Sequence, residues 1–307
     1  MSETLVLDGA DVVDTYAEAF SMWGARVVIT AATPEWATEA ARSMTGFATS
    51  VIGCKCEAGI EGDLAAADTP DGRPGVSVLL FTMSRTDLAK RLVERIGQSV
   101  LTCPTTACFD GLDGAEETAD VGGQLRFFGD GWQQSKVVAD RRYWRVPVME
   151  GEFLVQERFG MAEGVGGGNL IMLADDVTAA LEAARAAARA MHDVRGVVLP
   201  FPGGIVRSGS KVGSRYSSLS ASTNDPLCPT LRAVVAETEV PEGIGSVMEI
   251  VIDGLDPDAV SEAMRVGLRA ACRAGARRVT AGNYGGKLGQ HHFHLHDLVP
   301  AAEGGRG

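Results

Sequence analysis

The chain has 307 residues, of which 45% are hydrophobic and 22% are charged, a composition typical of a folded globular protein and not of a disordered one. Its formal net charge of −12 disfavours nucleic acid and anionic membrane surfaces as partners, because both require basic patches on the protein. Since no apolar run approaches the roughly 18 residues of a membrane-spanning helix, we expect a soluble protein.

In the first half of the chain, local signals predict the element order β-α-β-β-α-β. The run Ala25–Ala32 is typical of a buried strand, and Thr33 followed by Pro34 predicts the start of a helix that stops at Gly46. The remaining elements are predicted as strands at Phe47–Cys54 and Gly75–Thr82, a helix that begins at Ser84 or Thr86, and a strand near Ser99–Thr102.

The second half repeats this order, and the repeat defines the fold class. Two β-α-β-β-α-β units indicate ferredoxin-like folds, in which helices cover one face of an antiparallel sheet. We therefore predict an α+β protein of two similar ferredoxin-like lobes, residues 1–150 and 151–307, with inserted strands in the aromatic-rich segment Gly122–Glu163. The second-half elements are a strand at Asn169–Ala174, a helix from Asp175 or Asp176 to His192, a segment Val197–Val206 that Pro200, Pro202 and two glycines interrupt, a strand at Ser246–Asp253, a helix after Asp256, and a strand at Arg277–Ala281.

Glu249 is the most informative charged residue in the predicted strands. It stands within Val247–Ile252, where both strand faces are otherwise apolar, and alignment of the two halves places it opposite Val78. A carboxyl group at such a position lowers stability unless it is paired or protonated, and burial raises its pKa towards that of a general acid near neutral pH. The alternative is an edge-strand glutamate that faces water or a basic partner.

Three loops concentrate glycine together with polar residues. Each loop alone is typical of a tight turn, but three of them in one acidic chain favour a ligand-binding cleft. Exposed backbone amides beside Arg73, Lys211 or Lys287 would suit the phosphate or carboxylate groups of a large anionic ligand. The loops are Thr69–Gly75, Pro200–Gly204 with Ser210–Ser214, and Ala281–Gln290, and the predicted substrate-binding residues in them are Arg73, Gly203, Gly204, Lys211, Asn283, Tyr284, Lys287 and Gln290.

The C-terminal run His291–Asp297 could hold a metal ion. In a strand, His292, His294 and His296 would project from one face, and three imidazoles can bind zinc. We favour a polar strand face at a lobe or subunit junction, because no distant cluster of Cys, Asp or Glu completes a metal site. Cys54-Lys55-Cys56 lacks the spacing of a zinc knuckle or a redox pair. Without a secretory signal at the start of the chain, the six cysteines indicate a reducing, cytoplasmic compartment.

Nine stretches, in order from about Asp14 to Leu298, resemble one known family of enzymes. They are Thr69–Val76, Arg95–Gln98, Phe127–Gly131, Pro200–Val206, Ser222–Asp225, Glu249–Leu255, Glu262–Gly267, Ala281–Gln290 and His294–Leu298. The family that these stretches resemble is formylmethanofuran:tetrahydromethanopterin formyltransferase. Such collinear matches over nearly the whole chain are more specific than any single motif.

The resemblance implies two ferredoxin-like lobes, a homotetramer, an active-site cleft near a subunit interface, and neither metal nor prosthetic group. It implies that a formyl group passes between the primary amine of methanofuran and N5 of tetrahydromethanopterin, which are coenzyme substrates. The alanine- and arginine-rich helices differ from those of glutamate-rich archaeal members. We therefore expect a bacterial protein that works in formaldehyde oxidation to formate, as a subunit of a complex whose other chains carry the hydrolase.

For this reaction the sequence and the resemblance together predict catalytic roles for Glu249, Ser222, Thr223 and Asn224. An amine attacks a formamide carbonyl, so an oxyanion must be stabilised and protons must move between two nitrogens. Glu249 would move the protons, and the other three residues would bind the formyl oxygen or orient the amines. Lys211 and Lys287 would hold the carboxylates and phosphate of the coenzymes.

Three other readings compete with this prediction. A formyl-thioester route through Cys228 is disfavoured, because no histidine is evidently placed to activate the thiol. The second is a catalytically silent scaffold subunit, which the intact glycine loops and Glu249 oppose. The third is a metal-dependent amide hydrolase that uses His292, His294, His296 and Asp297.

Overall fold

A computed structural model describes residues 4–299 of the chain. This part forms seventeen strands and six helices, and none of its helices is long and apolar enough to cross a membrane. The helices are α1 (Pro34–Thr45), α2 (Val51–Cys54), α3 (Arg85–Arg95), α4 (Gly122–Leu125), α5 (Val177–His192) and α6 (Pro257–Arg273). The strands are β1 (Thr4–Leu7), β2 (Ala10–Val13), β3 (Tyr16–Thr30), β4 (Glu57–Leu64), β5 (Gly75–Thr82), β6 (Ala107–Asp110), β7 (Glu117–Asp120), β8 (Gln134–Val138), β9 (Arg141–Val148), β10 (Gly151–Gln156), β11 (Arg158–Ala174), β12 (Val197–Val198), β13 (Lys211–Val212), β14 (Ala221–Ser222), β15 (Ser246–Gly254), β16 (Arg278–Thr280) and β17 (His291–His294).

The first lobe is an antiparallel sheet covered on one face by α1 and α3. Its strands lie in the spatial order β6-β3-β5-β4, which with the chain order β3-α1-β4-β5-α3-β6 is the ferredoxin-like arrangement. α1 begins after Thr33 with Pro34 in its first turn, as predicted. α3 begins at its N-cap Ser84 and buries Leu88 and Leu92 in the core of this lobe.

The second lobe has the same arrangement. Its strands lie in the order β16-β11-β15-β12, again antiparallel, and α5 and α6 pack on this sheet. Asp176 and Asp256 are the N-caps of these helices, and their side chains accept the N–H groups of Ala179 and Ala259 at 2.9 and 2.8 Å. The predicted α+β architecture of two ferredoxin-like lobes is thus confirmed.

The two lobes share one continuous sheet. The 15-residue β3 and the 17-residue β11 extend beyond their own lobes and pair antiparallel, with residues 20–24 of β3 opposite residues 162–166 of β11. Both strands are much longer than predicted, because the predicted bounds covered only their buried apolar ends.

The inserted strands exchange between the lobes. β2 pairs with β16, so the buried Ala10 and Val12 belong to the core of the second lobe although they lie near the start of the chain. β10 pairs with β6 and, with β8 and β9, extends the first sheet. The division into residues 1–150 and 151–307 stays our proposal for the two lobes, with these strands crossing it.

Two predicted strands of the first lobe are wrong. Phe47 and Lys55 have positive φ angles of 49° and 67°, which break an extended run, and the residues between them include the short α2 instead. The second strand of the lobe is β4, which lies between the segments Phe47–Cys54 and Gly75–Thr82 and is not predicted. The strand predicted near residues 99–102 is a π-helical continuation of α3, because Ile96 and Val100 are buried at helical spacing, and β6 follows later.

Candidate active site

A cleft of about 780 Å³ lies where the two lobes meet, and both lobes line it. Five carboxyl groups and one ammonium group stand among the described residues that form its walls. An excess of acids in one cleft raises the pKa of neighbouring groups and favours proton-transfer chemistry. The walls include Glu18, Phe20 and Met22 of β3, residues 50–53 and Glu57 of the first lobe, Gly166, Gly167, Asn169 and Ile171 of β11, Glu249 and Val251 of β15, residues 208–211, Asn224, Glu239 and residues 280–284.

Glu249 lies in β15, an inner strand of the second sheet, and its side chain faces this cleft. β15 places it opposite Ile171 of β11, and its backbone exchanges hydrogen bonds of 2.7 and 2.9 Å with Val206. Among residues 4–299, no group donates a hydrogen bond to its carboxylate. Burial therefore raises the pKa of Glu249 to about 7. At neutral pH this carboxyl group can both accept and donate a proton.

Tyr284 faces the same cleft from the loop after β16. Burial raises the pKa of its phenol, and the negative charges of Glu249 and Glu18 raise it further. The phenol therefore stays protonated and can donate a hydrogen bond into the cleft. A permanent donor near a titrating carboxyl group is suited to an oxygen that gains negative charge.

Glu18 organises the loop that carries Tyr284. Its side chain is only 1% exposed and accepts four backbone N–H groups: Tyr284 at 2.6 Å, Gly286 at 2.9 Å, Leu288 at 2.7 Å and Gly289 at 2.6 Å. Burial raises the pKa of a carboxyl group, but these four hydrogen bonds outweigh that effect and lower it to about 2. The loop is thus wrapped around one carboxylate that is ionised at every physiological pH.

Lys211 and Asn224 line the opposite rim of the cleft. Lys211 forms an ion pair with Asp225, and this lysine lowers the pKa of the aspartate. The pair joins β13 to the Ser222–Asp225 segment. Because the Lys211 side chain is 41% exposed, its ammonium group can also contact an anionic ligand in the cleft.

The other predicted residues of these loops lie around the cleft and not in its walls. The hydroxyl groups of Ser222 and Thr223 donate to nearby backbone carbonyls at 2.7 and 3.4 Å. Gly203 and Gly204 line a neighbouring cavity of about 670 Å³, and Phe201 borders both cavities.

The predicted residues of the loop around Glu18 also lie partly in the cleft walls and partly outside them. Asn283 lines the cleft, and its amide donates to Thr15 Oγ1 at 3.1 Å. Lys287 is exposed outside the walls. Gln290 accepts the backbone N–H of Ser21 at 2.9 Å, so it anchors the end of the loop.

Arg73 lies in the first lobe, outside the cleft walls. Its guanidinium donates to Asp71 at 2.8 Å, to Thr30 Oγ1 at 3.1 Å and to the Thr105 carbonyl at 2.6 Å. We expect Arg73→Met to lower the free energy of unfolding by about 2 kcal/mol, since hydrogen bonds to charged groups contribute roughly 1.5–3 kcal/mol. Urea unfolding would measure this change, and an unchanged midpoint would contradict the loop-fixing role.

The histidine run does not gather at one centre. β17 ends at His294, and the rings of His292 and His294 lie against Tyr16, with centroids 4.9 and 5.1 Å apart. His296 lies in the following 3₁₀ turn with Nε2 3.0 Å from the Val12 carbonyl oxygen, so the prediction that it continues the strand face is wrong. Within residues 4–299, no group of three or more His, Cys, Asp or Glu side chains could hold a metal ion.

Sequence reasoning missed several residues of the cleft. Glu18 stands between two alanines in a strand that we predicted only in part, and a charged residue in such a buried run was the available signal. Asn169 binds the backbone of Gly282 in both directions, accepting its N–H at 2.7 Å and donating to its carbonyl at 3.3 Å. Glu57 and Asp253 are buried acids that only the packing of the two lobes brings together.

The cleft between the two ferredoxin-like lobes is suited to acid–base chemistry. It holds a carboxyl group that titrates near neutral pH, a protonated phenol and a loop fixed by a buried carboxylate. A family model described as formylmethanofuran-tetrahydromethanopterin formyltransferase matches residues 5–148, and one described as its proximal lobe matches residues 151–298. The chain belongs to this family and is a formyltransferase.

Relatives and solved structures match this chain over nearly its whole length. The formyltransferase of Methylobacillus flagellatus is 56% identical over 303 residues, which are 96% of this chain and 100% of that protein. The crystal structure of the formyltransferase/hydrolase complex from Methylorubrum extorquens with methylofuran contains a chain that matches with a TM-score of 0.94 and 49% identity, over 96% of this chain and 99% of that one. The formyltransferase structure from Methanosarcina barkeri matches with a TM-score of 0.92 and 47% identity, over 96% and 100%.

Proposed function

We propose that the chain transfers a formyl group between the amine of methanofuran and N5 of tetrahydromethanopterin within this cleft. The acceptor nitrogen attacks the formyl carbon, a tetrahedral intermediate forms, and the bond between that carbon and the donor nitrogen breaks. One proton leaves the attacking nitrogen, and one proton reaches the departing nitrogen. The observation that carries the proposal is the buried carboxyl group of Glu249 in the cleft wall. Burial raises its pKa to about 7, so this one group can take the first proton and deliver the second.

Tyr284 and Asn224 supply hydrogen-bond donors to the formyl oxygen in this proposal. Both line the cleft with Glu249, and the oxygen becomes negatively charged in the tetrahedral intermediate. Ser222 and Thr223 position Asn224, because their hydroxyl groups donate to nearby backbone carbonyls and so fix the loop that carries it. Asn283 and Lys211 contact the polar and anionic parts of the coenzymes.

The direct test is formyl transfer between formylmethanofuran and tetrahydromethanopterin, followed by absorbance with the isolated protein after treatment with a chelator. We expect turnover in both directions, since one carboxyl group serves both proton transfers. Folded protein with authentic coenzymes and no turnover would contradict the proposal.

Lys211→Met should weaken binding of the anionic coenzymes without slowing the chemical step. We expect KM to rise about tenfold, which corresponds to about 1.4 kcal/mol, with kcat changed by less than about threefold. The difference from wild type should shrink at high salt, because salt screens an exposed charge. The control is Lys90→Met, which removes an exposed lysine of α3 outside the cleft. Equal KM values for both variants would contradict the binding role.

In the cell, we propose that the chain works as one subunit of a formyltransferase/hydrolase complex, in formaldehyde oxidation to formate. The support is the likeness to the chain of the Methylorubrum extorquens complex. In that direction the chain makes formylmethanofuran, and a partner chain hydrolyses it. The isolated protein should therefore form formylmethanofuran without releasing formate, and formate should appear only when hydrolase subunits are added.

We propose that four copies of the chain assemble in this complex. Large apolar side chains are exposed on the segment that carries β8 and β9, and such a patch on a protein surface marks an interaction site. Native mass spectrometry would measure the number of copies, and a monomer at micromolar concentration would contradict the proposal. The exposed residues are Phe127, Phe128, Trp132, Val137, Val138 and Met149.

We place the protein in the cytoplasm. All six cysteines lie within the described residues as free thiols, which suits a reducing compartment. Fractionation of the source cells with a periplasmic marker would test this location.

A further inference from the structure

Two buried carboxyl groups that the proposed reaction does not use meet beside the cleft. Glu57 belongs to β4 of the first lobe and Asp253 to β15 of the second, and their side chains are 7% and 0% exposed. The two carboxyl groups face each other, and each perturbs the pKa of the other. Because two carboxylates in contact in a low-dielectric interior cannot both be ionised, one proton stays on the pair.

The Asp253 end of the pair holds a β-bulge. The register between β11 and β15 shifts between Val165 and Gly168, and Gly167 has a φ of +86°. A bulge takes one residue out of the ladder, and Asp253 Oδ1 accepts the N–H of Gly167 at 3.0 Å. Gly166 and Gly167 both line the cleft, so this hydrogen bond fixes the wall that the second lobe contributes.

The Glu57 end holds the facing wall from the first lobe. Glu57 Oε1 accepts the N–H of Val51, the first residue of α2, at 2.9 Å. Residues 50–53 line the cleft. With one proton between the two carboxyl groups, hydrogen bonds link Gly167 through Asp253 and Glu57 to Val51, across the junction of the lobes.

Asp253 is the group placed to carry the shared proton. Its Oδ2 is buried and has no hydrogen-bond partner among residues 4–299, so it is the atom that can donate to Glu57 when it is protonated. Burial raises the pKa of both groups, and that of Asp253 rises well above its ordinary value. The other charged groups that line the same cleft are Asp14, Glu18, Glu239, Glu249 and Lys211. The four carboxyl groups disfavour a further negative charge on the pair.

We propose that Glu57 and Asp253 are positioning residues whose shared proton sets the spacing of the two cleft walls. They do not touch the reacting atoms. They hold residues 50–53 and the 166–167 bulge so that a coenzyme bound between them meets Glu249. Loss of the proton leaves two carboxylates that repel each other and separate the walls. The inference rests on the proposed function of the cleft.

The test compares three variants of the full chain in the formyl-transfer assay. Asp253→Ala removes the groups that bond Glu57 and Gly167. We expect KM for at least one coenzyme to rise about tenfold or more, since displacement of active-site groups by about 1 Å can lower catalysis by far more than tenfold. Asp253→Asn keeps both bonds, because its amide donates to Glu57 and accepts from Gly167, and should restore KM to within about twofold of wild type. Glu61→Gln is the matched control, since Glu61 lies on the same strand, is 7% exposed and joins the lobes through the Gly196 N–H at 2.8 Å. Because Glu61 lies outside the cleft walls, Glu61→Gln should lower the free energy of unfolding and leave KM unchanged.

The pH profile separates positioning from mere support of the fold. Wild-type KM should rise at alkaline pH as the pair loses its proton, whereas KM of Asp253→Asn should stay flat, and both should keep the Glu249 dependence in kcat. Infrared spectroscopy should show a protonated carboxylic acid at neutral pH that Asp253→Asn lacks. Identical KM profiles for the two proteins would overturn the proposal even if Asp253→Ala fails to fold. An inactive wild type would instead overturn the proposed function, and the infrared band would still test the shared proton.

Discussion

Glu249→Gln is expected to lose nearly all activity and, above neutral pH, to be more stable than wild type. Glutamine fills the same volume but cannot exchange a proton, so we expect kcat to fall about 10²- to 10⁴-fold, the usual contribution of a general acid–base group. The kcat of wild type should depend on an ionisation near pH 7, because burial raises the pKa of Glu249 to about 7. That dependence should be absent from the residual activity of the variant.

The gain in stability follows from the same pKa. A carboxyl group whose pKa rises from 4.5 to about 7 on folding contributes stability that is complete below pH 4.5 and is lost as pH rises through 7. At pH 9 wild type therefore carries a penalty of at most about 3 kcal/mol that glutamine does not. The variant should unfold roughly 5 °C higher than wild type at pH 9. At pH 5 most of this difference should vanish.

Glu237→Gln is the control for this experiment, because Glu237 is exposed and lies outside the cleft walls. It should change neither kcat nor the pH dependence of unfolding. A Glu249→Gln protein that keeps its fold and full activity would refute proton transfer by Glu249. Equal melting temperatures for variant and wild type at pH 9 would refute the raised pKa.

Glu18→Gln should have the second largest effect, through the loop at 284–289. The amide oxygen of glutamine can accept only some of the four backbone N–H groups. The NH₂ group that replaces the second carboxylate oxygen is itself a donor and cannot accept the others. With buried N–H groups left unpaired, we expect the free energy of unfolding to fall by about 3 kcal/mol. KM should rise at least about tenfold, because the loop positions Tyr284 and Asn283 in the cleft.

Hydrogen–deuterium exchange would locate this effect. The amides of Tyr284, Gly286, Leu288 and Gly289 donate to Glu18 and should exchange much faster in the variant, whereas exchange in α5 should not change. Glu163→Gln, at an exposed position, is the control. Wild type should also lose the contribution of Glu18 in acid, because a pKa lowered to about 2 gives stability that is present above pH 4.5 and lost towards pH 2. Protection of the loop amides in the variant would contradict the role of Glu18.

Features that depend on neighbours in the chain could be predicted from the sequence. Asp176 and Asp256 cap their helices because an N-cap side chain bonds a backbone N–H three residues later. The two β-α-β-β-α-β units followed from apolar periodicity, which is also local. The same reasoning erred at Phe47–Cys54, an apolar run that predicts a strand. Phe47 and Lys55, at its two ends, have positive φ angles that break the extended conformation.

Part of the site was open to prediction for the same reason. Glu249 could be identified because a carboxyl group in an otherwise apolar strand is unusual wherever that strand lies. Lys211, Asn283 and Tyr284 were found through their glycine-rich loops, and they do line the cleft. Arg73 stood in a similar loop, but its loop packs in the first lobe and is closed by its own hydrogen bonds.

By itself, then, the sequence determined the two similar lobes, most of the helix starts, the family of the enzyme and the unusual position of Glu249 in an apolar strand. Only the tertiary structure decided which polar groups meet. Glu18 and Tyr284 are 266 positions apart, and Glu57 and Asp253 belong to different lobes, so no local pattern connects them. The pKa of a carboxyl group depends on burial and on the hydrogen bonds it accepts, and folding sets both. That is why similar acids became a carboxylate with a pKa of about 2, a group that titrates near 7 and a pair that shares a proton.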